Sequence, residues 1–145
     1  MKKYRAIRRP RVLVIDDDLV IAATLMIILE RAGFEAISAK GSFPGLHLAW
    51  SWRPDILLTD FDMPGLNGID VTRRICAIVP GCRLFLLSGH SEAGRMAAEA
   101  RREGYEVELL NKPIHPADLL ARLRRIVDME PLHSPQEWRQ GDPWS

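Results

Sequence analysis

The sequence predicts an α/β fold, a doubly wound five-stranded parallel sheet in which helices cover both faces. Three observations lead there. Short apolar runs alternate five times with stretches of helical periodicity. The connections between them are short, as β-α units require. Four of the apolar runs also end on acidic, hydroxyl or basic residues, namely Asp16-Asp17, Asp60, Ser88 and Lys112.

Each element has its own local signature. Val12-Leu13-Val14-Ile15 is a buried strand, and Leu19, Val20, Leu25, Met26, Ile28 and Leu29 recur at helical spacing behind it. Asp18 is placed to cap that helix, Arg31 complements its last turn and Gly33 stops it. A weaker strand is expected over 34–38. A short helix is expected from about Phe43 to Arg53, with Ser42 at its start and Pro44 tolerated in its first turn. The third strand is expected over 55–59, and the third helix runs from Asn67 to Val79, where Pro80-Gly81 ends it. The fourth strand starts at Arg83 and the fifth at Val107. Between them, the helix from Ser91 to Glu103 is poor in large apolar groups, with Met96, alanines and Gly94, and is expected to be the least firmly packed. His115-Pro116 opens a final helix with Leu119, Leu120, Leu123, Ile126 and Val127 on one face.

Composition narrows the class. A chain of 145 residues suits one domain, and 47% hydrophobic with 27% charged residues is ordinary for a globular protein. The longest apolar stretch, Leu19 to Leu29, is far short of a bilayer span, and Arg5, Arg8, Arg9 and Arg11 interrupt any signal-peptide core; neither membrane nor export is expected. Cys76 and Cys82 form no metal or redox motif and read as reduced thiols of a cytoplasmic protein. The net charge of +1 is unevenly spread. Lys2 to Arg11 hold six of the 20 basic residues and no acid, which leaves 14 basic against 19 acidic residues elsewhere. Residues 1–10 thus form a basic arm, read as a solvated terminus with nucleic-acid contact the less favoured alternative. Residues 11–130 form the domain. Residues 131–145, with three prolines, Trp138 and Trp144, read as a loose tail, with a docking handle for a partner or for the domain's own surface as the alternative.

In a parallel sheet the carboxyl ends of the strands meet in one crevice. Three acids, a hydroxyl and a lysine gathered there suit a divalent cation and a phosphoryl group on a carboxylate. Singly, each residue has a plainer reading: a cap, a loop serine, a solvated lysine. Asp18 already supplies the cap, so Asp16 and Asp17 remain unexplained.

The ordered set Asp16-Asp17, Asp60, Ser88 and Lys112-Pro113, with Met63-Pro64 and Gly68 behind Asp60, closely resembles the receiver domains of two-component response regulators. The resemblance runs from Arg11 to Asp128. It implies the flavodoxin-like strand order 2-1-3-4-5, and Asp60 as the phosphoacceptor. It also implies Mg²⁺ held by Asp17 and Asp60 directly, by Asp16 partly through water and by the backbone carbonyl of Asp62. Lys112 and Ser88 would bind the phosphoryl oxygens, Ser88 moving as the switch. A sensor histidine kinase or histidine phosphotransfer protein would be the donor. The output would be an unknown protein, or a homodimer, at the face formed by the fourth helix, fifth strand and last helix of a stand-alone, non-enzymatic regulator.

Two departures from the family pattern matter. The position three before the lysine, aromatic in many receivers, is Leu109, and Tyr105 four residues earlier is no substitute. Gly89 would leave the pocket open to small phosphodonors, and the resemblance implies that Asp62 and His90 flank the site and tune dephosphorylation. Two rivals remain. A pseudo-receiver would bind partners without phosphorylation. A haloacid-dehalogenase-like phosphatase would use Asp60-Phe61-Asp62, but that motif belongs on the first strand and the cap domain has no room.

Overall fold

The computed structural model describes residues 8–89 and 91–129. Residues 1–7 of the basic arm, His90 and the tail with Trp138 and Trp144 lie outside the described residues. Five strands alternate with five helices: β1 (Arg11–Asp16), α1 (Leu19–Arg31), β2 (Glu35–Lys40), α2 (Ser42–Trp52), β3 (Ile56–Asp60), α3 (Gly68–Ile78), β4 (Arg83–Ser88), α4 (Ser91–Arg102), β5 (Val107–Asn111) and α5 (Pro116–Met129). All neighbouring pairs are parallel and the order is β2-β1-β3-β4-β5, as the sequence and its resemblance implied.

The near-continuous apolar strands follow from burial on both faces. Leu13, Ile15, Leu57, Leu84 and Leu86 face α2, α3 and α4, whose Ala49, Ile69, Val71, Ile75, Ala93, Ala97 and Ala100 complete that layer. Val12, Val14, Ile56, Leu58, Phe85 and Leu87 face α1 and α5, which supply Ala22, Leu29, Leu119 and Leu123. α4 sends only alanines to full burial, with Met96 partly covered.

Three expectations about local structure are corrected. β2 begins at Glu35 and runs to Lys40, two residues beyond the expected end, because its partner β1 offers hydrogen bonds from Arg11 through Asp16. Ser42 is the first helical residue of α2, buried and without a side-chain cap; Gly41, at φ 94°, holds the capping position. On α1 the apolar pattern marks a helix but not its buried face. Leu29 is covered, whereas Leu19 and Val20 are 59% and 74% exposed. A helix apolar on nearly every side gives periodicity nothing to choose between.

The base of the sheet is tied by Asp55, just ahead of β3. Arg8 donates to its two carboxylate oxygens at 2.7 and 2.8 Å, and the Arg11 backbone N–H donates to Oδ2 at 2.8 Å. The Arg11 guanidinium in turn donates to the Trp52 carbonyl at 2.9 Å and lies 5.3 Å from the centre of its ring. The inner end of the basic stretch is therefore docked rather than solvated. Such bidentate, mostly covered pairs are geometrically specific.

Two glycines let helices approach the sheet. A Cβ at Gly45 would fall 2.2 Å from Ile15 Cδ1, and one at Gly68 would fall 2.5 Å from the Asp60 carbonyl oxygen and 2.8 Å from Phe61 Cα. The second contact is with backbone, which cannot rotate away. Gly68→Ala is expected to destabilise the protein by about 1–3 kcal/mol, the usual cost of overpacking, read as a lowered urea midpoint with the slope unchanged.

Candidate functional site

The four strand ends converge. Asp60 closes β3 and is 6% exposed, and Lys112 Nζ donates to its Oδ1 at 2.8 Å. One carboxylate oxygen from each of Asp16, Asp17 and Asp60 lies within 4.8 Å of the others. Asp16 and Asp60 are buried and Asp17 is more open. Ser88, 2% exposed, closes β4 beside Asn111, and its carbonyl accepts from the Lys112 N–H at 2.9 Å. The Phe61 N–H donates to the Leu87 carbonyl at 2.9 Å, so backbone bonds to β4 carry β3 and β5 past their last residues and hold the pocket wall. The Lys112-Pro113 peptide is cis.

Asp18 has a second role that sequence reasoning missed. Its side chain caps α1 as expected, accepting from Val20 and Ile21 N–H groups at 2.9 and 3.2 Å. Its own backbone N–H also donates to Asp16 Oδ1 at 2.9 Å and orients that carboxylate. The signal was present: an aspartate two residues ahead of a turn N–H is an Asx-turn.

Charge in this pocket is unbalanced. Three carboxylates face one ammonium, and burial raises the Asp16 pKa above the ordinary carboxylate range. The Asp18 N–H and Lys112 oppose that rise, while the charges of Asp60 and Asp17 add to it. For Lys112, burial pulls the pKa down, but the Asp60 hydrogen bond and the charges of Asp60, Asp16 and Asp17 outweigh it, and the net shift is upward. Lys112 is therefore charged throughout the physiological range. Asp16 Oδ2 is buried with no hydrogen-bond partner among the described residues. An orphaned carboxylate oxygen amid three clustered acids fits a hard divalent cation with oxygen ligands. Asp16, Asp17 and Asp60 are the residues that would hold it; bound, it would neutralise oxygen charge in phosphoryl transfer.

The remaining candidates surround this centre. Asp62 is exposed at the rim, two residues past Asp60. Leu109 is partly buried in the layer beneath α4, and a Cβ at Gly94 would lie 3.8 Å from its Cδ2. At Gly89 a Cβ would meet only Lys112 Cβ, at 4.0 Å, so that side of the pocket is open. His90 lies outside the described residues.

The strand order and covering helices define a flavodoxin-like, CheY-like fold with an acidic crevice at its carboxyl edge. The chain belongs to the response regulator receiver domain family, whose model matches residues 12–124. It is 34% identical over 128 residues to the DNA-binding response regulator MtrA of Mycobacterium tuberculosis, covering 85% of this chain and 54% of that protein. It is 28% identical over 132 residues to the cell cycle transcriptional regulator CtrA of Caulobacter vibrioides, covering 91% and 56%. The chain thus spans about half the length of these curated relatives. Among solved structures, a response regulator receiver domain protein from Clostridium thermocellum superposes with a TM-score of 0.75 at 31% identity, covering 83% of this chain and 95% of that one. A CheY-like receiver domain from Methanospirillum hungatei gives 0.75 at 25% identity, with the same coverages. Receivers are regulatory parts of two-component response regulators. Among the described residues no helix is long and apolar enough to cross a membrane.

The raised Asp16 pKa has a testable sign. A group whose pKa is higher in the folded state contributes stability that is present below its unfolded value, about 3.9, and lost as pH rises through the folded value. At neutral pH, ionised Asp16 therefore costs stability in the metal-free protein. Asp16→Asn is expected to raise the metal-free melting temperature at pH 7, with the gain vanishing below about pH 4. Saturating Mg²⁺ should stabilise the parent by about 2.7 kcal/mol at 100 times its dissociation constant and the variant by much less, as thermal melts at matched ionic strength would read.

Proposed function

We propose that this chain is a phosphoacceptor switch in which Asp60 takes a phosphoryl group, with Mg²⁺, from a histidine of a kinase or phosphotransfer protein. The observation that carries this reading is the 2.8 Å bond from Lys112 Nζ to Asp60 Oδ1 inside a cluster of three carboxylates. An Asp60 oxygen bonds to phosphorus as the donor's phosphorus–nitrogen bond breaks, and the imidazole leaves with the electron pair. Asp60 is fixed by its strand, Lys112 offers a positive charge to the transferred oxygens and Ser88 a hydroxyl, so positioning and neutralisation do the work. The open side at Gly89 admits small acyl phosphates as well.

Signal then passes through Ser88 and α4. The hydroxyl is drawn toward the phosphoryl group, and the helix behind it, held to the core mainly by alanines, shifts. Leu109 replaces the aromatic rotor with an aliphatic contact against α4, so the response is a sliding of α4 rather than a ring swing. The α4–β5–α5 face is the output surface, for a protein partner or a second copy, in the cytoplasm.

Acetyl phosphate with and without Mg²⁺, followed by intact mass, tests this reading. Parent protein should gain one phosphate only with Mg²⁺, and Asp60→Asn none. No gain from acetyl phosphate or from any phosphorylated histidine donor would favour a phosphate-independent binding module. Substituting Asp62 or His90 by Ala should change the lifetime of phosphorylated Asp60 more than Mg²⁺ affinity, since these are the positions that tune dephosphorylation in the receivers this chain resembles. Equal lifetimes in parent and both variants would sink that assignment.

A further inference from the structure

β2 and β5 are the two edges of the sheet. An edge strand turns alternate peptide groups outward, where a strand from another chain can pair with them. Main-chain bonds show which groups these are. The Glu35 N–H donates inward to the Pro10 carbonyl at 2.8 Å, so Ala36, Ser38 and Lys40 turn their N–H and C=O groups away from β1. The Lys112 N–H donates inward to the Ser88 carbonyl at 2.9 Å, so Val107, Leu109 and Asn111 turn theirs away from β4.

The first outward position of each edge is already taken. The Ala36 N–H donates to Glu30 Oε1 at 3.2 Å. The Val107 carbonyl accepts from Arg101 Nη1 at 2.8 Å, and the Val107 N–H donates to the Tyr105 carbonyl at 3.2 Å. Glu30 and Arg101 hold equivalent places. Each is the residue before the last in the helix that leads into its edge strand, and each lies six residues ahead of the group it holds. The signs also match the chemistry, with a carboxylate on the donor and a guanidinium on the acceptor.

We infer that Glu30 and Arg101 are edge blocks, which close both sides of the sheet to strand pairing with a second copy of this chain. A second copy is the partner at issue because it carries the same edges, and each edge could meet its own copy antiparallel about a twofold axis. With the first position held, β2 offers only Ser38 and Lys40, and β5 only Leu109 and Asn111. That is shorter than an ordinary strand pairing. Lys40, exposed at the end of β2, adds a charge that further disfavours it. Main-chain pairing is nearly indifferent to sequence, whereas side chains discriminate between partners. The blocks therefore leave association to the helix faces, whether or not Asp60 is phosphorylated.

The test follows the unphosphorylated full chain by sedimentation velocity over a wide concentration range. The variant carrying both Glu30→Ala and Arg101→Ala, with its far-UV circular dichroism unchanged, should associate at concentrations about tenfold below those the parent needs, since two freed main-chain groups become available for pairing. Amide exchange at Ser38 or Leu109 should slow severalfold in the associated form, which marks pairing at that edge. A variant carrying Glu30→Gln and Arg101→Lys keeps an acceptor and a donor and should behave as the parent does. Should the double Ala variant fail to fold, each single variant should associate with slowed exchange at its own edge alone. Association of the folded Ala variants no stronger than the parent's would overturn the inference. So would association without protection of Ser38 or Leu109, or equal association of the Gln and Lys variant.

Discussion

The bond between Lys112 and Asp60 sets the terms for the rest of the molecule, because it partly neutralises a site that otherwise gathers like charges. Two carboxylates about 4 Å apart repel by about 4 kcal/mol at the effective dielectric of a protein surface. Asp16, Asp17 and Asp60 share such a space, and among the described residues only Lys112 lies among them with opposite charge. The fold holds that unfavourable arrangement by placing each carboxylate at the end of a strand whose interior is buried and mostly apolar. Val12 to Ile15, Ile56 to Leu58 and Leu84 to Leu87 are almost inaccessible to water. The strands cannot slip without exposing those residues, so the carboxylates cannot separate.

Rigidity is unevenly distributed around this frame. At the base, Asp55 joins Arg8 and the Arg11 backbone, and main-chain bonds from Asp55 to Arg11 and from Arg83 to Asp55 lace β1, β3 and β4 together. At the top, Gly68 presses α3 against the Asp60 carbonyl. α4 is different. Its buried contacts are methyl groups of Ala93, Ala97 and Ala100, which contribute little area each, so shifting it costs less than shifting α3. The element adjoining Ser88 is thus restrained by the core less than α3 is.

Leu109 fits the same picture. In the layer under α4 it lies beside Gly94, where the helix presents no side chain.

Much of this was legible in the chain itself. Period switching gave five strands and five helices, and the residues closing those strands were already the unusual ones: paired acids, a lone acid, a serine and a lysine. Burial on both faces makes parallel strands apolar throughout, so their ends stand out. The α1 surface was not legible, since a helix apolar on nearly every side does not say which side meets the sheet, and Val20 proved to face water. The extent of β2 was decided by β1, whose hydrogen bonds continue to Lys40. Docking of Arg8 on Asp55, 47 residues away, depended on the sheet bringing β1 and β3 side by side. Sequence alone determined which residue types close each strand, because local patterning follows from the backbone period. Only tertiary structure decided that Lys112 bonds Asp60 and that one Asp16 oxygen has no partner among the described residues, because both follow from strands distant in sequence converging at one edge.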